Sequence, residues 1–238
     1  MIEALPGRDE IGSLTARMLL EVDAVQFWGD HPFILTSGWA SPVYVDCRRL
    51  ISYPRIRRAV TDFAVATIVR DIGFERLDLV AGGETAGVPF AAWIADRLML
   101  PMQFVRKRAK GFGPAAQIEG IAADGARTLL VEDMTTDGES KLAFCRGLRR
   151  AGARVEHAFV VFQYGIFPGV AERFAEIGLR LHALATWWDV LREAERGAAF
   201  PPAELADLRT FLENPGRWSS QHGGIAALPA RDSGAAMP

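Results

Sequence analysis

The sequence predicts an α/β fold with a doubly wound, mainly parallel sheet, and three observations support this prediction. From residue 77 onward, short apolar runs of strand length alternate with stretches of helix length, which is typical of βαβ units. Half of the residues are hydrophobic and 24% are charged, as in an ordinary globular protein. A length of 238 residues suits one such domain with one substantial core.

The individual elements follow from hydrophobic periodicity. Apolar residues at helical spacing predict a first helix over 11–25, and Pro54 is predicted to open a second helix that continues to Ile68. Turn-forming residues dominate 29–42 between them. The later strands are predicted at 77–81, 102–105, 128–131, 155–162 and 179–185, and the later helices at 88–98, 139–150 and 170–177.

Two segments do not fit this alternation. Residues 106–125 are basic and glycine-interrupted, and a loop of about 20 residues inside a compact domain is generally a functional lid or a disordered stretch. Residues 219–238 are rich in Gly, Ala, Pro and Ser, which predicts a loosely ordered tail. We therefore expect a single domain over 1–218 with a mobile loop at 106–125.

Charge and cysteine content exclude several classes of function. The formal net charge of −2 argues against non-specific binding to nucleic acid or to an anionic membrane. Cys47 and Cys145 lie far apart in unlike contexts, which indicates a reducing compartment. We find neither a signal peptide at the N-terminus nor an apolar run of about 20 residues. We therefore expect a cytoplasmic protein without nucleic-acid or membrane partners.

The strongest chemical signal lies in residues 129–140. An apolar strand delivers Glu132 and Asp133 at its carboxyl end, and a Thr-x-Gly-x-Ser turn over 136–140 then leads into a helix. Such a turn can cradle a phosphate at a helix N-terminus, and paired carboxylates can accept hydrogen bonds from a sugar diol. The combination indicates a site for a 5-phosphorylated ribose. The alternative is ordinary turn chemistry, with Asp133 and Ser140 as caps.

Residues 129–140 resemble the ribose-phosphate signature of type I phosphoribosyltransferases. Three further segments resemble the orotate phosphoribosyltransferases among them. Residues 33–46 are similar to the N-terminal motif F-x-L-K-S-G-x-x-S-P-x-Y, residues 82–89 to the pyrophosphate-binding turn, and residues 106–113 to the mobile loop R-K-x-x-K-x-H-G. All four segments occur in the family's order and at similar spacing. The resemblance implies a small N-terminal hood within 1–50 over the doubly wound sheet.

The chain departs from the family's pattern at several charged positions. The departures are Thr36 in place of a lysine, Phe112 in place of the loop histidine, Glu84 and Asp137 in place of small residues, and 163–165 in place of the Asp/Asn-Arg pair that often holds orotate. Cations expected near pyrophosphate and near the base are therefore missing. The orotate carboxylate would need other donors, for which the backbone N–H groups of Tyr44 and Val45 and the hydroxyl of Thr136 are candidates.

The resemblance implies an enzyme that transfers the 5-phosphoribosyl group from 5-phosphoribosyl 1-pyrophosphate to orotate, in pyrimidine biosynthesis. It implies Mg²⁺, held mainly by pyrophosphate and water, and a homodimer whose mobile loop reaches the neighbouring subunit's site. The residues implied in catalysis are Arg106, Lys107, Lys110 and Asp133. The residues implied in substrate binding are Tyr44, Val45, Thr85, Ala86, Glu132, Asp133, Met134, Thr135, Thr136, Asp137, Gly138, Glu139 and Ser140.

Two other functions remain open at this stage. A phosphoribosyltransferase for another base, such as a purine, is favoured by the absence of an orotate-clamping arginine. A non-catalytic sensor of 5-phosphoribosyl 1-pyrophosphate would use the same fold, but it predicts a degenerate loop and an added nucleic-acid-binding module. The loop keeps Arg106, Lys107 and Lys110, and residues 1–32 offer one helix rather than a helix-turn-helix pair.

Overall fold

The computed structural model describes residues 5–110, 117–121, 124–197 and 200–228. The elements in chain order are α1 Arg8–Glu21, β1 Val25–Phe27, β2 Phe33–Ile34, β3 Ala40–Ser41, β4 Val43–Val45, a 3₁₀ helix Cys47–Ser52, α2 Pro54–Asp71, β5 Leu79–Gly83, α3 Gly87–Leu98, β6 Met102–Val105, β7 Ile118–Glu119, β8 Arg127–Thr135, α4 Glu139–Arg150, β9 Arg154–Gln163, α5 Val170–Glu176, β10 Arg180–Thr186, α6 Trp187–Gly197, α7 Pro202–Glu213 and α8 Pro215–Gln221.

A six-stranded sheet forms the centre of the molecule. Its strand order is β10-β9-β8-β5-β6-β7, and every neighbouring pair is parallel except β6 and β7. All five residues of β5 are buried, as expected of a parallel strand that is covered on both faces. The predicted α/β fold with a mainly parallel sheet is confirmed.

Most predicted elements are present, and their bounds differ by a few residues. Val25 belongs to β1 and not to the first helix, because α1 ends at Glu21 and the chain turns before pairing with β4. Strand β8 extends to Thr135, four residues beyond the predicted end. The predicted loop 106–125 contains β7, since Ile118 and Glu119 pair with β6. Its residues 111–116 and 122–123 lie outside the described residues.

Helices after residue 186 were absent from the sequence prediction. Asp189 caps the start of helix α6, because both the backbone N–H and the hydroxyl of Thr186 donate to its Oδ2, at 2.8 and 2.9 Å. Proline starts the next two helices, α7 and α8. Among the described helices, none has both the length and the apolar content that a membrane crossing requires.

The predicted start of the tail at residue 219 is wrong. Ser219 lies in α8, is fully buried, and its Oγ accepts a hydrogen bond of 2.9 Å from the Ala40 N–H. The N–H of Ile225 donates to the carbonyl of Gly38 at 3.0 Å. These contacts hold Ser219 and Ile225 against strand β3 and the turn before it, whereas residues 229–238 lie outside the described residues.

Candidate functional site

A cavity of about 950 Å³ lies at the carboxyl ends of β5 and β8. Ligands bind at this edge in open α/β sheets. Residues 33–37 and the segment from Tyr44 to Arg48 line it from the N-terminal part of the chain. The cavity therefore lies between the central sheet and the short strands of the N-terminal region.

Most of the residues proposed from the sequence line this cavity. They are Tyr44, Val45, Thr85, Ala86, Lys107, Glu132, Asp133, Met134, Thr136, Asp137, Glu139 and Ser140. Four proposed residues do not line it: Arg106, Lys110, Thr135 and Gly138. Thr135 is buried within β8, and Lys110 is exposed to solvent.

The two carboxylates of β8 occupy different environments. Asp133 Oδ1 accepts a hydrogen bond of 2.9 Å from the backbone N–H of Met134. Glu132 Oε2 accepts one of 2.9 Å from the ammonium of Lys141, and both side chains are more than nine-tenths buried. Burial raises the pKa of each carboxyl above its ordinary value, and in both cases the positive charge of Lys141 opposes the shift.

The turn between β8 and α4 brings its polar groups close together. Gly138 has φ +81°, and a Cβ atom there would lie 2.6 Å from the ring of Phe174, so the turn requires glycine. Asp137 Oδ1 accepts hydrogen bonds of 3.3 Å from the hydroxyl of Thr136 and from the backbone N–H of Glu139. The amide at the start of α4 is thus capped by a carboxylate, at a helix N-terminus, which is where anions are favoured in proteins.

Glu84 joins the turn after β5 to the start of the basic loop. Its Oε2 accepts a hydrogen bond of 2.8 Å from the backbone N–H of Lys107. The neighbouring Arg106 lies 3.9 Å from Glu84 Oε1 and donates to Glu119 Oε1 at 2.7 Å. The start of the loop is therefore held by β7 and by Glu84, with Lys107 at the cavity wall. The predicted positions Phe112 and Gly113 lie outside the described residues.

Two cations that line the cavity were missed in the sequence analysis: Lys141 and Arg48. Arg48 Nε lies 2.6 Å from Asp46 Oδ1, and its Nη2 lies 3.4 Å from the hydroxyl of Tyr44. The D-x-R spacing after the Tyr44 motif could have identified Arg48. Lys141 directly follows Ser140, but its inward direction is set by tertiary packing.

The residues after Phe162 do not form a base-binding group. Tyr164 is fully buried, stacks on Phe167 with ring centroids 5.6 Å apart, and donates a hydrogen bond of 3.4 Å to the carbonyl of Val43. Burial holds the pKa of this phenol far above its ordinary range. Tyr164 therefore links the sheet to the N-terminal region as a core residue.

Comparisons with known proteins agree with the geometry. Residues 52–166 match the model of the phosphoribosyl transferase domain. A curated orotate phosphoribosyltransferase from Cereibacter sphaeroides is 55% identical over 90% of this chain and 93% of its own length. A solved orotate phosphoribosyltransferase from Aeropyrum pernix is 33% identical, with a TM-score of 0.66 over 76% of this chain and 98% of that chain. The structure of Leishmania donovani UMP synthase is 29% identical, with a TM-score of 0.73 over 84% of this chain and 42% of that chain.

Proposed function

This chain belongs to the orotate phosphoribosyltransferase family, and on that premise we propose which of its residues bind the substrates and support the reaction. It transfers the 5-phosphoribosyl group from 5-phosphoribosyl 1-pyrophosphate to orotate, giving orotidine 5′-monophosphate and pyrophosphate in pyrimidine biosynthesis. The observation that carries the residue assignment is the convergence of Asp133, the 136–140 turn and Lys107 on one cavity.

The end of β8 and the start of α4 bind the ribose 5-phosphate in this proposal. The carboxylate of Asp133 accepts hydrogen bonds from the ribose hydroxyls. The 5-phosphate binds the 136–140 turn at the N-terminus of α4, where backbone N–H groups and the helix dipole favour an anion. It takes over the Glu139 amide that Asp137 caps in the absence of ligand.

The reaction requires stabilisation of a leaving group and no protein nucleophile. As the C1–O bond loosens, the ribose gains positive charge and the diphosphate gains negative charge. Asp133 stabilises the positive charge on the ribose, and the loop cations stabilise the negative charge. These cations, Arg106, Lys107 and Lys110, act when the loop closes over the diphosphate and excludes water, which would otherwise attack C1.

Magnesium enters this proposal with the substrate. Among the described residues, no group of three His, Cys, Asp or Glu side chains is arranged to hold a metal ion. We assign the ligands of Mg²⁺ mainly to the diphosphate oxygens and water, which are the hard donors it prefers. When bound, Mg²⁺ neutralises part of the diphosphate charge.

Orotate is assigned to the side of the cavity formed by the N-terminal region. The backbone N–H groups of Tyr44 and Val45 and the hydroxyl of Thr136 are candidate donors to its carboxylate. Arg48 adds a cation beside Tyr44, and we propose that it balances the charge of that carboxylate. The Ser37 hydroxyl also lines the cavity and is buried with no hydrogen-bond partner among the described residues, so it is available to a ligand.

The assembly and cellular location are part of the same proposal. We assign a homodimer in which the loop from Arg106 to Gly120 completes the partner's site. The described part of the chain contains no membrane-spanning helix, and Cys47 and Cys145 are both free thiols. These features are consistent with a cytoplasmic enzyme.

Release of pyrophosphate with orotate, with hypoxanthine or with no added base tests the substrate assignment. We expect orotate to give the highest kcat/KM and the reaction without a base to be negligible. A higher kcat/KM with hypoxanthine would indicate a purine phosphoribosyltransferase. Binding of 5-phosphoribosyl 1-pyrophosphate without release of pyrophosphate on any base would indicate a sensor.

A further inference from the structure

A buried ion pair lies beneath the ribose-phosphate turn. Lys141 Nζ is 2.9 Å from Glu132 Oε2, and the two side chains are 5% and 8% exposed. The same ammonium donates to the hydroxyl of Ser140 at 3.2 Å. A lysine has three donors, so two of them are directed to groups that frame the cavity.

The other oxygen of Glu132 is fixed by packing. A Cβ atom built on Gly83 would lie 2.6 Å from Glu132 Oε1, so this oxygen lies directly against the backbone of β5. One carboxylate oxygen thus contacts Lys141 and the other contacts Gly83. Glu132 is therefore held in one position at the edge of the cavity, which it lines together with the adjacent Asp133.

The cavity must nevertheless accept a polyanion. Among the described residues that line it, the acidic ones are Asp46, Glu84, Glu132, Asp133, Asp137 and Glu139, and the basic ones are Arg48, Lys107 and Lys141. An uncompensated carboxylate beneath the floor would repel both the phosphate and the diphosphate, and burial would strengthen that repulsion.

We propose that Lys141 is a positioning residue for 5-phosphoribosyl 1-pyrophosphate: it cancels the charge of Glu132 beneath the cavity and holds the Ser140 hydroxyl at the phosphate turn. The inference rests on the proposed binding of this substrate. Binding by the unaltered protein is therefore the control. If the unaltered protein does not bind 5-phosphoribosyl 1-pyrophosphate, the proposed function fails; if it binds and only the variants behave otherwise than expected, the role of Lys141 fails.

Lys141→Met tests the charge balance, because it keeps the length of the side chain and removes the ammonium. The groups that act on Glu132 besides Lys141 are Asp133 of the same strand and Lys107 of the loop. In the variant the charge of Glu132 is no longer balanced by Lys141, and the KM for 5-phosphoribosyl 1-pyrophosphate should rise about 10- to 100-fold with a much smaller change in kcat.

The conservative variant Lys141→Arg keeps a positive charge beside Glu132 and separates electrostatics from the loss of the ammonium. We expect its KM to lie within about tenfold of wild type and below that of Lys141→Met. Arg146→Met is the matched control, because Arg146 is an exposed residue of the same helix, and it should leave KM unchanged.

Two results would overturn the proposal. One is an unchanged KM in a folded Lys141→Met protein, and the other is a KM for Lys141→Arg as high as that for Lys141→Met; the second would assign Lys141 to packing or to direct contact with the substrate. If Lys141→Met does not fold by circular dichroism, titration of the folded Lys141→Arg variant with 5-phosphoribosyl 1-pyrophosphate decides the question. Affinity more than tenfold below wild type would reject the charge-balance role.

Discussion

Asp133→Asn isolates the carboxylate that we assign to the ribose hydroxyls. Oδ1 of Asp133 is held by the Met134 N–H at 2.9 Å, and asparagine can keep that hydrogen bond with its carbonyl oxygen. Its amide group then replaces Oδ2, so an acceptor becomes a donor at the face of the cavity. The substitution changes the interaction with the diol while preserving the shape of the side chain.

The expected loss of substrate affinity follows from the loss of one charge-assisted hydrogen bond. Hydrogen bonds to charged groups contribute about 1.5–3 kcal/mol, which corresponds to about a 10- to 150-fold weaker Kd for 5-phosphoribosyl 1-pyrophosphate. Isothermal titration calorimetry gives this Kd directly, and pyrophosphate release gives kcat/KM. Asp96→Asn, at an exposed position on α3, should change neither value.

Folding of the Asp133→Asn protein should be unimpaired. Because burial raises the pKa of this carboxyl, ionised Asp133 destabilises the folded state, and a neutral amide removes that cost. The midpoint of urea unfolding at pH 8 should therefore be equal to or higher than that of wild type. Unchanged substrate affinity in a folded variant would refute the assignment of Asp133 to the ribose.

Three further outcomes follow from the site and from the opposite edge of the sheet. Glu84→Gln should lower the KM for 5-phosphoribosyl 1-pyrophosphate, because it removes a negative charge beside Lys107 in the segment 82–89, which resembles the pyrophosphate-binding turn. A raised KM in steady-state kinetics would contradict this. Lys107→Ala and Asp133→Ala proteins, each nearly inactive, should regain about a quarter of wild-type activity when they are mixed and their subunits exchange. Half of the dimers are then mixed, and each mixed dimer has one intact site of two. No recovery despite demonstrated exchange would reject a shared site. Desolvation lowers the pKa of His157 from 6.5 to about 4, so the unfolded state binds a proton that the folded state does not, and stability is lost as the pH falls from 6.5 toward 4. His157→Gln should reduce the difference in the free energy of unfolding between pH 7 and pH 5, measured by urea denaturation, by less than about 2 kcal/mol. An equal difference in both proteins would refute this role.

The sequence by itself determined the fold class and which residues stand at the end of β8. Apolar runs alternating with helical patterns are local signals, and they predicted the parallel strands with errors of a few residues. The 129–140 segment predicted two carboxylates and a phosphate turn, because strand, turn and helix N-terminus are adjacent in the chain. The motif near Tyr44 likewise identified part of the cavity wall.

Tertiary structure alone decided how the charged groups of the site are paired. Periodicity predicted that Glu132 lies on a strand and Lys141 on a helix, but not that their side chains meet beneath the cavity. The direction of Glu132 depends on a neighbouring strand, where Gly83 leaves room for its carboxylate. Such a pairing depends on how elements pack, which a local pattern does not encode.

The C-terminal helices show the same limit over a longer distance. The composition of residues 219–238 predicted a loose tail, yet Ser219, in the last turn of α8, accepts a hydrogen bond from Ala40, 179 residues earlier in the chain. Asp207 likewise accepts hydrogen bonds from the indoles of Trp28 and Trp218, at 3.0 and 2.7 Å. The order of this end of the chain therefore comes from polar groups and apolar surface that distant segments supply. Local sequence determined which elements form, and packing between distant elements determined which of them hold the site together, because burial and hydrogen bonding are satisfied only in the assembled fold.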